Sequence, residues 1–199
     1  MRNNQRSKRS VPYGKIVIIL LVISIAYGFL FDIGCNLIDK KTHPLRYTEF
    51  IEKYSEKYTV PKTLVYAVIK TESDFESNAV SPVGAVGLMQ LMPSTFEDIT
   101  KNFLSENLET GMLYDPETNI RYGVFYLSWL KTFYDDWNCV LAAYNGGLGN
   151  VNDWLEDEEY SEDGKTLIID KIPFKETRNY VKKVNKAEEK YEKLYFTED

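Results

Sequence analysis

Apolar positions along this chain come first as an unbroken run and then, beyond residue 46, at helical spacing. The run Ile16–Phe31 holds sixteen residues without a charge, and with Gly14 and Ile33-Gly34 at its ends it nears the roughly 20 residues of a bilayer-spanning helix. Tyr47, Phe50, Ile51 and Tyr54 then mark a helix over Arg46–Lys57, and Pro61 suits the first turn of another that ends at Glu72. Ser94-Thr95-Phe96-Glu97 has the spacing of a capping box opening a helix toward Leu104. Asp115-Pro116 supplies a cap and a first-turn proline to what reads as the longest helix, with Ile120, Val124, Leu127 and Leu130 on one face. A shorter helix, Asn138 to Tyr144, stops at Gly146-Gly147, and a last one runs from about Thr177 to Leu194. Glu156 to Gly164 is an acidic, turn-rich surface loop, and Leu167 to Ile169 alone has the character of a brief strand pairing. The fold class is all-α: one helical globular domain preceded by a single N-terminal transmembrane helix, without internal repeats.

Charge orients this layout. All five basic residues up to Lys15 precede the first acidic one, Asp32, so the remainder sets 19 basic against 30 acidic residues and carries −11. Basic residues before the apolar run place residues 1–15 in the cytoplasm, 16–34 in the membrane, and the rest outside the cell. Residues 35–45 read as a polar linker, with His43 as a linker residue, and 46–199 as the folded domain. The rival is a cleaved signal peptide, but the exit lacks a small-x-small pattern. Ile33-Gly34-Cys35 faintly resembles a lipoprotein site, with Asp32 where an aliphatic residue belongs.

The acidic domain excludes nucleic-acid binding, which draws its affinity from cations on phosphates. Two cysteines make no disulfide framework, and Cys139 reads as a small buried hydrophobe. One histidine without clustered partners supplies no metal site, and no cofactor is expected. Fifteen tyrosines and three tryptophans suit sugars or interfaces, but Trp129, Trp137 and Trp154 read best as core packing.

Glu72 is the candidate for chemistry. At 3.6 residues per turn it shares a face with Leu64, Val65, Val68 and Ile69, where lost hydration raises a carboxyl pKa and makes a general acid near neutrality. A helix-end glutamate reaching solvent fits the same spacing.

Four blocks decide between them: Glu72-Ser73; Ser81-Pro82-Val83-Gly84-Ala85-Val86-Gly87-Leu88-Met89-Gln90-Leu91-Met92-Pro93; Ala142-Ala143-Tyr144-Asn145-Gly146-Gly147; and Ile172-Pro173-Phe174-Lys175-Glu176-Thr177-Arg178-Asn179-Tyr180-Val181. In this order they resemble the soluble lytic transglycosylase family, bacterial enzymes with a lysozyme-like catalytic domain, over roughly Tyr47 to Phe196. The resemblance implies that Glu72 is the catalytic acid, that Ser81, Gln90 and Met92 line the glycan groove, that Tyr144 and Asn145 lie beside the acid, and that Glu176 stands at the groove. Each has a plainer reading. Ser81 could start a turn, Gln90 could bond backbone, Tyr144-Asn145 could end a helix, and Glu176 could pair with Arg178.

The implied substrate is the glycan of peptidoglycan, cleaved without water to a 1,6-anhydromuramic end, with Glu72 as acid and then base. The expected partners are these strands and, through the anchor, the membrane. One alternative is a muramidase, which would need Asp74 or Glu76 as a second carboxylate; Glu97 is assigned to its cap. The other is an idle wall-binding protein, against which an ionisable group on an apolar face argues.

Overall fold

The computed structural model describes residues 13–197 and leaves the Lys15 side chain undescribed, so the basic N-terminal stretch lies almost wholly outside the described residues. The chain divides into two units after Thr42. The first contains α1, Tyr13–Thr42, whose apolar side chains are exposed, and Ile16–Thr42 is long and apolar enough to cross a membrane. The expected linker is therefore mostly helical. No proline or glycine interrupts residues 35–42, so the helical hydrogen-bond ladder simply continues.

The second unit begins at His43 and is all-helical, with single bridges joining Val86 to Val80 and to Leu91. His43 is packed, its ring edge-on to Tyr191 at 5.4 Å and its carbonyl accepting from the Tyr195 hydroxyl at 2.9 Å. The helices are α2 Thr48–Tyr58, α3 Lys62–Ser73, α4 Pro93–Asp98, α5 Pro116–Lys131, α6 Trp137–Gly146, α7 Leu148–Leu155 and α8 Lys175–Tyr191. Wide π-helical turns extend α4 over Ile99–Phe103 and α8 over Glu192–Phe196.

Helix α3 is the centre. Leu64 to Ile69 have no exposed surface, so the helix is buried all round there, not along one stripe, and α8 covers it most extensively. Each such leucine or isoleucine contributes about 1.5–3 kcal/mol through burial. On α5, Ile120, Val124, Leu127 and Leu130 are fully buried as their spacing predicts. A smaller core of Val86, Leu91, Phe96, Ile99, Leu113 and Tyr122 forms beside the main one, and Tyr126 and Tyr144 pack against both.

Several expectations need correction. Helix α5 has its Asp115 cap, accepting from the Thr118 amide at 3.0 Å, but its 16 residues are fewer than the 17 of α8. The capping box does not form: Pro93 takes the first helical position behind Met92, leaving Ser94 inside the turn, and Glu97 pairs with Lys101 at 3.1 Å. Helix α6 starts earlier than expected because Asp136 accepts from the Asn138 and Cys139 amides. Helix α7 is additional, entered through Gly147 at φ 90°, a value open to glycine. Ile169–Lys171 is a 3₁₀ turn where a brief pairing was expected.

Candidate active site

The site forms where α3 leaves the core. Asp74 and Phe75 both adopt left-handed backbone, at φ 52° and 66°, and the Asp74 amide closes α3 on the Lys70 carbonyl. Phe75 then buries completely, which fixes this strained exit and hence the last turn bearing Glu72.

Glu72 is half-buried. Desolvation raises its carboxyl to about 7; the Tyr180 hydroxyl beside it opposes the rise by favouring the charged form, and the nearby Glu176 charge adds to it. Tyr180, from α8, was not among the residues singled out in the sequence. Its hydroxyl is buried and has no partner at full hydrogen-bond geometry, so it stands as a free donor next to the acid. Its spacing of four residues from Glu176 on one helix was the available signal. Tyr144, from α6, is raised well above its usual range by burial and then by the Glu72 charge, and stays protonated. It donates to the Met89 carbonyl at 2.7 Å.

The segment from Ala79 to Met92 forms a tight double turn. Gly87 amide to Ala79 carbonyl, Ser81 amide to Ala85 carbonyl, and a reciprocal Val86–Leu91 pair close it. Asn119 of α5 is completely buried and latches it, accepting from the Met89 amide at 2.8 Å and donating to the carbonyls of Val86 and Leu113. Gly87, at φ 81°, has no room for a Cβ, which would lie 2.1 Å from the Asn119 side-chain nitrogen. Asn119 carries no motif signature, and only its polarity within the apolar α5 pattern could have drawn notice.

Of the expected site residues, Glu72, Tyr144 and Glu176 come together. Glu176 is exposed in the first turn of α8, and Arg178 does not pair with it, donating instead to the Ile172 carbonyl at 3.0 Å. Asn145 accepts from the Thr177 hydroxyl at 2.8 Å, fastening the end of α6 to α8. Ser81, Gln90 and Met92 sit on the latched segment. The Ser81 hydroxyl accepts from the Ala85 amide, and both Gln90 amide hydrogens go to the carbonyls of Ala79 and Gly87. That leaves the Gln90 oxygen for a ligand. Met92 is 38% exposed.

The remaining carboxylates are turned away. Asp74 is exposed and paired with Lys70, while Glu76 is exposed with Arg46 at 4.0 Å. Among the described residues no cluster of three metal-ligating side chains occurs. Cys139 is buried, its thiol pushed up to about 12 by desolvation, and Cys35 is exposed. Trp154 is buried, whereas Trp129 and Trp137 are only partly covered.

Comparison with known proteins gives the family and the fold. Residues 49–167 match the model of the transglycosylase SLT domain. The soluble lytic murein transglycosylase of Escherichia coli K12 is 38% identical over 143 residues, covering 71% of this chain and 22% of that protein. Membrane-bound lytic murein transglycosylase C of Salmonella arizonae is 30% identical over 189 residues, covering 85% of this chain and 52% of its relative. The chain thus spans about a fifth of the first relative and half of the second. The crystal structure of the 70 kDa soluble lytic transglycosylase of Escherichia coli superposes with a TM-score of 0.73 at 34% identity, covering 79% of this chain and 26% of that one. That of an inactive glutamate-to-glutamine mutant of Pseudomonas aeruginosa lytic transglycosylase Slt gives 0.69 at 32% identity, covering 78% and 25%. With the family model matched from α2 to the loop before α8, and a lysozyme-like helical fold around Glu72, the chain belongs to the transglycosylase SLT domain family.

Proposed function

We propose that this protein is a peptidoglycan lytic transglycosylase that cuts the bond from N-acetylmuramic acid to N-acetylglucosamine without water. The observation that carries this reading is a single acid, Glu72, raised to about 7 and, among the described residues, without a buried carboxylate beside it. Glycosidases that use water usually need two carboxylates, one as acid and one as base or nucleophile. Here Asp74 and Glu76 face solvent.

Protonated Glu72 gives its proton to the glycosidic oxygen as the C1–O bond breaks. The muramic acetamido carbonyl stabilises the positive charge at C1. Glu72, now a carboxylate, takes the proton of the C6 hydroxyl, and that oxygen bonds C1 to close a 1,6-anhydro ring. An oriented internal nucleophile has a very high effective concentration, which makes this ring closure competitive with water. Tyr180 steadies the carboxylate stage, and Tyr144 orients the acid or holds the acetamido group. Ser81, Gln90, Met92, Asn145 and Glu176 line the glycan groove.

A hydrolytic muramidase is the second reading, and one observation favours it: Glu176 is the carboxylate whose charge Glu72 senses. Mass spectrometry of fragments released from purified sacculi separates the two. Anhydro ends support the transglycosylase, reducing ends assign the water-using route, and no release would leave a binder. Glu72→Gln should lose nearly all turnover while remaining folded.

Helix α1 is the proposed single-pass anchor, holding the SLT domain outside the cytoplasm against the wall. The name of the membrane-bound relative supports such a placement.

A further inference from the structure

Helix α8 is apolar toward the core and basic away from it. Thr177, Tyr180, Val181, Val184, Ala187 and Tyr191 are buried. On the opposite side Lys175, Asn179, Lys183, Lys186 and Lys190, with Lys193 on the π-helical extension, follow one another at intervals of three or four residues and so share one face. All but the partly covered Lys190 are exposed, and Glu176, Glu189 and Glu192 fall to the sides of this line. Lys182, also beside it, pairs with Asp170, whereas among the described residues Lys175, Lys183, Lys186 and Lys193 enter no ion pair. The lysines stand on an acidic background, since the chain from Asp32 onward carries 30 acidic and 19 basic residues. A second observation concerns where the line ends. The Tyr195 hydroxyl donates to the His43 carbonyl at 2.9 Å and the Tyr191 ring meets that of His43 at 5.4 Å, so the C-terminal end of α8 is tied to the residue that follows α1. The last turn of α1 is itself basic, with Lys40 and Lys41.

We propose that the lysine face of α8 docks on the anionic phospholipid headgroups of the membrane that α1 crosses; the proposal rests on the anchor reading of α1 above. Clusters of lysines on one side of an amphipathic helix are the pattern that anionic lipid surfaces attract. Here the apolar side is already spent on the core, so the attraction is electrostatic and involves no insertion. Distance favours the lipid over a polyanion of the wall. Residues 35–42, the helical stretch between the apolar run and His43, measure about 12 Å at 1.5 Å per residue. Roughly 5–7 Å of that is headgroup layer, which leaves His43 inside a surface field that decays over about 8 Å at physiological salt. Because Tyr180, beside Glu72, belongs to the same helix, docking α8 would also set the direction in which the site faces the wall.

The test reconstitutes the full chain into vesicles of phosphatidylcholine, alone or with an equal part of phosphatidylglycerol, and follows lysine acylation by a membrane-impermeant reagent with mass spectrometry. Lys183, Lys186 and Lys193 should react at least about fivefold more slowly in the anionic vesicles, the effect of a single lysine held at such a surface. Lys57 and Lys101, exposed on other elements, should react alike in both. Molar salt, which shortens the screening length to about 3 Å, should erase the difference. The double variant Lys183→Gln/Lys193→Gln should return Lys186 toward its rate in neutral vesicles. Equal rates in the two vesicles, slowing that survives molar salt, or slowing shared by Lys57 and Lys101 would each overturn the docking face. Slowing that requires added sacculi and not phosphatidylglycerol would overturn it by giving the face to a wall polymer. Flotation with the neutral vesicles in alkaline carbonate reads the anchor separately. Floating without slowing removes the lysine face alone, and slowing in anionic vesicles without floating in neutral ones removes the anchor alone.

Discussion

The Ser73 hydroxyl donates to the Leu88 carbonyl at 2.8 Å, with the Ile69 carbonyl also within reach at 3.2 Å. The residue after the acid therefore fastens the last turn of α3 to the segment carrying Gln90 and Met92. Ser73→Ala leaves the Leu88 carbonyl unpaired and should cost about 1–2 kcal/mol of stability. Turnover should drop about tenfold, since small misplacements of reacting groups are amplified in rate. Chemical denaturation and steady-state kinetics on sacculi check both; an unaltered rate would detach Ser73 from positioning.

The folded state holds the Glu72 proton more tightly than the unfolded chain, at about 7 against 4.5. Stability from this group is thus fully present below pH 4.5 and is lost as pH rises through 7. Glu72→Gln cannot ionise, so it should match the wild type at pH 4 and exceed it at pH 8, by at most about 3 kcal/mol. Thermal melts at the two pH values measure this, and equal differences at both would refute the raised carboxyl.

Tyr180→Phe removes a donor that favours charged Glu72, so the acid should titrate still higher. The alkaline limb of the wild-type rate profile, falling from about pH 7, should move upward in this variant. Stability should change little, because the hydroxyl lost had no full hydrogen bond. A pH–rate profile with a melting curve tests the pair of statements; a limb that stays in place would deny Tyr180 its influence.

Asn119→Ala strands the Met89 amide and the carbonyls of Val86 and Leu113 in a buried site. A loss of about 3 kcal/mol or more is expected, and the Met89 amide should exchange with solvent much faster. Hydrogen exchange by mass spectrometry over 86–91 gives the readout.

Much of the domain was legible from pattern. The α5 stripe at 120, 124, 127 and 130 depends only on helical period, and all four side chains are buried. The position of Glu72 was legible for an incomplete reason. Phase alone places it on an apolar stripe, whereas Thr63 to Ile69 are buried on every side, and Glu72 owes its half-burial to the point where that central helix emerges. What stayed hidden was set by other helices. Pro93 displaced the capping box because it fits the first helical position regardless of the serine behind it. Gln90 looked like a substrate ligand, yet its two hydrogens are spent on nearby carbonyls, a pairing that exists only once the segment has folded. Tyr180 takes its meaning from Glu72, and Asn119 from Val86 and Met89, all far away in sequence.

The Asn119 latch also divides its segment into two kinds of territory for anyone who would redesign it. Between Val86 and Met89 an inserted or deleted residue would break two of its three bonds at once, and Gly87 admits no side chain. Between Pro82 and Gly84 the chain is outside the latch: Val83 is 76% exposed and a Cβ at Gly84 meets open space, although its φ of 89° still favours glycine. Side-chain changes belong at Val83, where the rim can be re-cut without disturbing the floor, whereas a change of length there would open the turn that ties Ser81 to Gly84 and Ala85.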